Sequence, residues 1–156
     1  MNPKLKIIAI VAILILIFGF LGIRYITEAS TIDNINIGVE DVSIEELKLS
    51  SCTLNLKVRI SNPTTEYISE LSAEFDVFIA DTDVANGTVV KVSIPPESYA
   101  TSDVLLTIFY ADVGNAVING IKTGDFDLII QGEAKLNVLL NLLTIIKPFT
   151  SSYSYD

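Results

Sequence analysis

Residues 54–75 read LNLKVRISNPTTEYISELSAEF, a segment whose two halves share one periodicity on either side of a break. In residues 54–60 apolar and polar side chains alternate, so that an extended strand has one apolar and one polar face. Pro63 ends this strand because it has no N–H and a fixed φ. The alternation resumes in residues 71–79. The segment therefore predicts a strand, an Asn-Pro corner and a second strand.

Asn62 and Pro63 form this corner. The residue before a proline is held extended, and the Asn62 amide can hydrogen-bond nearby backbone groups. An ordinary turn accounts for both residues without any chemistry. We therefore predict that the corner serves the fold and binds nothing.

Residues 7–23, IIAIVAILILIFGFLGI, form an apolar run without a charge, and Tyr25 and Ile26 extend it past Arg24. A helix that rises about 1.5 Å per residue covers roughly 25–30 Å over this run, which matches the hydrocarbon core of a bilayer. The sequence therefore predicts a transmembrane helix over residues 7–26.

A cleaved signal peptide is the alternative for this segment. Lys4 and Lys6 fit its basic region, and Thr27-Glu28-Ala29 loosely fits a cleavage site. However, the apolar run exceeds the usual length of about 7–15 residues, and Arg24 interrupts the approach to the site. These features favour an uncleaved signal anchor.

Basic residues flank the apolar run unequally. Lys4 and Lys6 precede it and only Arg24 follows closely, so the positive-inside rule places residues 1–6 in the cytoplasm. The predicted location is a cell membrane, spanned once, with the domain outside. Asn86-Gly87-Thr88 is a glycosylation sequon in that location, although most such tripeptides need no such explanation.

Charge separates the two parts of the chain. Residues 1–30 carry three basic residues and one acidic residue, whereas the remainder carries seven basic and 18 acidic residues. An acidic domain is repelled by nucleic acid and by anionic membrane surfaces, which excludes nucleic acid as a partner. The predicted membrane contact is the N-terminal helix alone.

Periodicity and turn signals divide the rest of the chain into short elements. Residues 27–34 are mostly polar and predict a linker, and residues 150–156 predict a polar tail. Strands or an amphipathic helix follow from alternation or from spacings of three and four. The predicted strands are residues 35–47 (with a bulge), 53–61, 71–79, 89–94, 104–110, 126–130 and 136–144, and the predicted helix is 111–122.

Five signals separate these elements. Asp81-Thr82-Asp83 predicts a tight turn, and Asn86-Gly87 predicts a turn or bulge. Pro95-Pro96 ends a strand, Thr123-Gly124 ends the helix, and Gly132 predicts a bulge or kink.

About seven short strands, frequent turn signals and a lack of regular β–α alternation are typical of an all-β antiparallel sandwich, here with one short helix. We assign residues 35–149 to this domain. Because the β pattern begins at residue 35, we expect a chain beginning there to fold without the N-terminal helix.

The Asn-Pro corner after an alternating strand, in residues 54–64, resembles the hallmark of the LEA-2, or WHy (water stress and hypersensitive response), domain. Other segments resemble that family in the same order. They are FDVFIADTDVANG (75–87), VSIPPES (92–98), the predicted helix (111–124), residues 128–132 and Pro148-Phe149. The resemblance covers residues 35–149.

There are two departures from the family pattern. The corner reads Asn-Pro-Thr where many members have a second asparagine, and residues 136–147, LNVLLNLLTIIK, are unusually apolar. The resemblance implies a fibronectin-III- or immunoglobulin-like sandwich of the LEA14 type and a desiccation- or stress-protective association. It implies no catalytic residues. Single-pass prokaryotic relatives, archaeal ones included, share the layout with an N-terminal anchor.

The residues themselves point to little chemistry. The chain has no histidine, so His-based triads and His-ligated zinc are excluded. A single cysteine, Cys52, allows no internal disulfide, and it is expected to be a small buried residue. Asp81-Thr82-Asp83 resembles the start of a calcium loop, but the later ligand positions are wrong. Asp125 and Asp127 share a polar face and are expected to be surface charge. We predict no catalytic, cofactor or metal site and no enzyme activity.

Three hypotheses remain. The leading one is a membrane-tethered, non-enzymatic, stress-protective domain. The second is a cell-surface module that binds another protein through the sandwich. The third is a domain at the membrane that handles an apolar ligand or lipid, suggested by residues 136–146, in which both faces are apolar. A central strand buried on both sides, under the predicted helix, would explain the same residues.

Overall fold

The computed structural model describes residues 2–156, so Met1, part of the predicted cytoplasmic segment 1–6, lies outside the described residues. The chain forms a long N-terminal helix, seven strands and one short helix. In order these are α1 (Pro3–Asp33), β1 (Asn36–Leu47), β2 (Ser51–Asn62), β3 (Ile68–Ile79), β4 (Thr82–Ile94), β5 (Ser98–Phe109), a 3₁₀ turn (Tyr110–Asp112), α2 (Asn115–Thr123), β6 (Phe126–Val138) and β7 (Leu143–Tyr155).

The strands form two antiparallel sheets, one of three strands in the order β1-β2-β5 and one of four in the order β4-β3-β6-β7. The predicted fold class, a seven-stranded antiparallel sandwich with one short helix after a long apolar helix, is confirmed. β1 has two register shifts, as its predicted bulge requires.

The segment with the Asn-Pro corner supplies an inner strand to each sheet. β2 is the middle strand of the three-stranded sheet, and β3 lies inside the four-stranded sheet. Leu54, Leu56, Val58 and Ile60 are fully buried on β2. The corner therefore carries the chain from one sheet to the other across the core, which explains why the alternation on both sides of it is so regular.

The β3–β4 turn lies one residue earlier than predicted. Ala80 and Asp81 form it with φ of 49° and 59°, as a two-residue hairpin loop requires. Asn86-Gly87 is neither a turn nor a bulge, because β4 runs through it in register with Phe75. A Cβ at Gly87 would lie 2.5 Å from the Phe75 ring, so the glycine allows close packing.

Gly132 also allows close packing, and the predicted bulge or kink at this residue is wrong. β6 continues to Val138 without a register shift at this glycine. A Cβ there would lie 2.0 Å from the carbonyl oxygen of Glu74 on the neighbouring strand. Gly132 is therefore required by the close approach of two backbones.

The predicted helix begins later than residue 111. β5 ends at Phe109 and a 3₁₀ turn precedes α2, so Tyr110 belongs to neither the strand nor the helix. Gly124 ends α2 with φ of 69°, the left-handed conformation of a helix C-cap, which confirms the predicted end.

Residues 136–144 do not form one strand. β6 ends at Val138, residues 139–142 turn, and β7 begins at Leu143. The run 136–146 is therefore an apolar hairpin and not a central strand under α2. The predicted tail 150–156 is also wrong, since β7 continues through it to Tyr155 and pairs with β6.

Candidate functional site at the helix–domain junction

Among residues 2–156, α1 is the one helix long and apolar enough to cross a membrane, judged by length and composition. An apolar stretch of 18 residues in α1 has a mean hydropathy of 2.9, and none of this stretch is buried. Leu16 and Phe18 are about 70% exposed. An apolar surface of this extent is unusual for a soluble monomer and is typical of segments that contact a membrane or a partner.

The predicted linker at residues 27–34 is wrong, because α1 continues as one helix to Asp33. Thr31 and Ile32 in its last turn are buried, and Ile32 joins Ile35 in the hydrophobic core of the domain. The helix therefore contributes to the sandwich core. A chain beginning at residue 35 lacks this part of the core, and the expectation that it folds without the helix stays a prediction.

A lysine from the domain caps the end of α1. Lys147 Nζ on β7 donates to the carbonyl oxygens of Asp33 at 2.5 Å and Ile35 at 2.9 Å. The Asn34 amide donates to the Ser30 carbonyl oxygen at 2.7 Å. A cation at this position satisfies unpaired carbonyl groups and opposes the negative end of the helix dipole. The cap holds the helix end against β7.

Glu28 joins the helix to the β6–β7 hairpin. Its Oε1 lies 2.9 Å from Arg24 Nη2 in an ion pair, and its Oε2 accepts a hydrogen bond of 2.9 Å from the Leu139 backbone N–H. The side chain of Glu28 is only 22% exposed. Hydrogen bonds to a carboxylate are stronger than neutral ones, so this bridge ties the hairpin turn to the side of α1.

The hairpin turn itself has an unusual composition. Leu139, Leu140 and Asn141 have φ of 52°, 58° and 66°, and the Leu142 N–H donates to the Leu139 carbonyl oxygen at 3.2 Å. The left-handed region costs about 1–2 kcal/mol for a residue with a Cβ, and glycine or asparagine normally occupies it. Burial of the side chain does not offset this cost, since Leu140 is 94% exposed; the neighbouring Leu142 is 73% exposed.

Two concavities lie between the side of α1 and the domain. One is an apolar groove between the helix and the hairpin turn, lined by Phe20, Leu21, Arg24, Glu28, Leu139 and Leu140. The other is a cavity of about 100 Å³ beside Arg24, Glu28 and Thr31, which residues 66–69 and 136–138 close from the domain side. The corner between β2 and β3 thus reaches the base of the helix.

Asn62 uses its side chain entirely within the fold. Its Nδ2 donates to the carbonyl oxygens of Glu66 at 2.7 Å and Pro95 at 3.1 Å, and its Oδ1 accepts from Thr64 N at 3.1 Å and Oγ1 at 2.7 Å. The residue is 1% exposed. These bonds link the β2–β3 corner to the β4–β5 corner. The prediction that Asn62 and Pro63 serve the fold stays a prediction, and these bonds support it.

The other candidate residues are not brought together. Within residues 2–156, no group of three or more His, Cys, Asp or Glu side chains could hold a metal ion. Cys52 lies in the core, where burial raises the pKa of its thiol above the ordinary value. Asp81 lies in a two-residue turn, and Asp127 accepts a hydrogen bond of 2.6 Å from Ser154 Oγ. Asp125 lies in the short connection before β6.

Sequence reasoning missed the junction residues. Ile32, Glu28, Lys147 and the turn 139–142 were not predicted to meet. A signal for Ile32 existed, since residues 24–33 contain no glycine or proline that would end the helix. The hydrogen bonds of Glu28 and Lys147 join residues more than 100 positions apart, which no local pattern reveals.

No protein-family model matches this chain, and no curated protein matches it. Solved structures do. The solution structure of AT1g01470 from Arabidopsis thaliana has a TM-score of 0.60 at 18% identity, over 76% of this chain and 78% of that chain. The solution structure of a protein described as late embryogenesis abundant (LEA), At2g46140.1, has a TM-score of 0.50 at 17% identity, over 89% and 82%. Identities this low show the fold. The resemblance to the LEA-2 domain is therefore confirmed at the level of the fold.

Proposed function

We propose that this chain is a single-pass, membrane-tethered LEA-2-like domain that protects against water stress without catalysing a reaction. One observation carries the proposal: the long apolar stretch of α1 is exposed, and the last turn of the same helix is built directly into the core of a LEA-like sandwich. The helix supports the tether, and the fold supports the comparison with LEA proteins.

The tether is supported by the free energy of insertion. Thirteen of the 17 residues in the run 7–23 are Ile, Leu, Val or Phe. At about −0.3 to −0.6 kcal/mol each, they favour insertion by roughly −4 to −8 kcal/mol. Arg24 follows the run, and its guanidinium is half exposed and paired with Glu28. That position suits a side chain at the boundary between hydrocarbon and water.

The sidedness is part of the proposal. Lys4 and Lys6 before the helix place the N-terminus in the cytoplasm and the domain outside the cell membrane. Protease added to intact cells is expected to digest the domain. A domain that resists digestion until the membrane is breached would reverse the assignment.

A non-catalytic role is supported by the burial of Cys52 and by the scattered positions of the acidic residues. Cys52 is buried, and burial raises the pKa of its thiol; a thiol without access to solvent is a poor nucleophile. The domain, residues 35–149, carries 16 acidic residues, and they are spread over its strands and turns. Such a surface is strongly hydrated and soluble, which suits a protective domain.

Residues 136–146 no longer support the hypothesis of a domain that handles an apolar ligand. Residues 136–146 lie at the edge of the sandwich as a hairpin beside α1. Leu136 and Val138 are core residues of β6, and the turn residues 140–142 are exposed, so the run does not form one doubly apolar strand that would line a ligand site.

Vesicle leakage tests the protective role on the full chain. The protein is reconstituted into phosphatidylcholine vesicles that contain a trapped dye, and the vesicles are dried and rehydrated. We expect less dye release than from protein-free vesicles. The matched control is a peptide of residues 1–34, which has the helix but no sandwich and is expected not to protect. Equal leakage with the full chain and without protein would refute the protective role.

A further inference from the structure

The β6–β7 hairpin presents an uncharged apolar tip to solvent. Residues 136–146 contain no charged side chain, and the nearest charges along the chain are Lys135 and Lys147. Leu140 at the turn is almost fully exposed, and Leu142 is about three-quarters exposed. Large apolar side chains clustered at one exposed turn are typical of a contact surface.

The tip lies at the level of the apolar run in α1. Leu139 and Leu140 line one groove together with Phe20 and Leu21 of the helix. These two helix residues belong to the uncharged run 7–23. Residues 20–23 span only about 5 Å along a helix axis. The tip is therefore level with the last turn of the segment proposed to lie in hydrocarbon.

Hydrogen bonds hold the tip in this place. Glu28 accepts from the Leu139 N–H, and Lys147 at the base of the hairpin donates to the end of α1. The Glu28 carboxylate is itself paired with Arg24, so it brings no free negative charge to the tip. The tip cannot swing away from the helix without breaking these bonds.

The turn has leucine at positions where the backbone conformation disfavours it. Leu139 and Leu140 adopt positive φ, where glycine or asparagine would be unstrained. Leucine at both positions gives the turn apolar side chains at the expense of local strain. Strain of this kind is concentrated at functional positions.

We propose that residues 139–142 insert into the boundary between headgroups and acyl chains of the leaflet from which α1 emerges. The partner is lipid, recognised by its apolar chains, because the tip carries no charge that would select a headgroup. This contact would be the domain's second attachment to the membrane and would fix its orientation. The inference rests on the proposed membrane tether.

Single-tryptophan fluorescence tests this insertion, since the chain has no tryptophan of its own. Leu140→Trp and Leu142→Trp each report the tip. Leu49→Trp is the matched control, because Leu49 is a fully exposed leucine in the β1–β2 turn, at the opposite end of the strands. Each full-length variant is reconstituted into phosphatidylcholine vesicles with and without brominated acyl chains, which quench tryptophan on contact.

We expect brominated lipid to reduce the emission of the two tip variants severalfold and to leave the Leu49→Trp emission unchanged. Tip emission that brominated lipid does not quench would overturn the proposal. If that emission is also shielded from aqueous iodide, the tip is covered by protein, such as a second copy of the chain. Flotation of the unmodified chain with vesicles separates the two proposals. A chain that fails to float refutes the tether and the insertion together, whereas a chain that floats with unquenched tips refutes only the insertion.

Discussion

Ile32→Ala tests whether α1 contributes to the stability of the folded core. Ile32 is fully buried, although it lies in a segment whose composition predicts a linker. The substitution removes three carbon atoms, which at about 0.8 kcal/mol each amounts to about 2.4 kcal/mol of lost transfer free energy. A residual cavity adds to this loss, and buried Ile→Ala changes cost about 2–5 kcal/mol in general. We expect a value in the lower half of that range, because a helix end can relax into the space.

Thermal unfolding of the full chain in detergent micelles, followed by near-ultraviolet circular dichroism of the tyrosines, measures this effect. For a chain of about this size, 1 kcal/mol lowers the melting temperature by about 2–4 °C, so a loss of about 2–3.5 kcal/mol is expected to lower it by roughly 4–14 °C. Ile26→Ala is the control, since Ile26 is on the same helix and 69% exposed. Both variants gain the same small helix propensity, so the difference between them isolates burial.

A melting temperature for Ile32→Ala that equals that of Ile26→Ala would refute the reasoning. It would mean that the sandwich core closes without α1 and that residues 27–34 behave as the linker their composition suggests. A matched pair of shortened chains gives an independent answer. A chain beginning at residue 27 is expected to be more stable than one beginning at residue 35, because only the first retains Ile32.

The other predictions concern the domain itself. Asn62→Ala is expected to cost about 1–3 kcal/mol by leaving buried backbone groups unpaired, and Pro63→Ala about 0.4–1 kcal/mol; a variant with parental melting and lost protection would instead make the corner a site. Gly132→Ala is expected to cost more than about 1–3 kcal/mol because its Cβ would overlap backbone atoms, whereas Gly114→Ala, with no atom within 4 Å, loses only the preference for glycine over alanine at the N-cap of α2 and should cost much less. Burial raises the pKa of Cys52, so the folded state holds the thiol proton more tightly; its contribution to stability is present below the ordinary pKa of a thiol and is lost as the pH rises through the raised pKa. Cys52→Ala should therefore show a shallower fall of melting temperature at alkaline pH, and an identical fall would contradict the assignment.

The sandwich could be predicted because burial of alternate residues is visible in local sequence. β2 shows this most clearly, with every second residue from Leu54 to Ile60 fully buried. The glycines were misread for a physical reason. Gly87 and Gly132 lack a Cβ so that a ring or a backbone can approach, and a sequence signal does not separate this need from a need for positive φ.

The hairpin at residues 139–142 was hidden by its own composition. Two leucines occupy positions with positive φ and only Asn141 is a usual turn residue, so the alternation of residues 136–144 runs through the turn. The helix end was hidden in a similar way. Its exposed faces are polar, its single large apolar residue is Ile32, and Lys147, which caps it, comes from the far end of the chain.

A helix that enters the core without a linker limits where the proposed tethered domain can act. From Ile26 to Ile32 the helix rises only about 9 Å, and Ile32 is locked in the core. A flexible linker of similar length would let the domain sample a wide range of distances and orientations. Here the β2–β3 corner, with the exposed Tyr67, stays beside Arg24 to Thr31, and the hairpin tip stays beside Phe20 to Glu28. Tyrosine is enriched at bilayer interfaces. The protection we propose should therefore be strongest for the membrane to which the domain is attached and weak for soluble proteins at a distance from it.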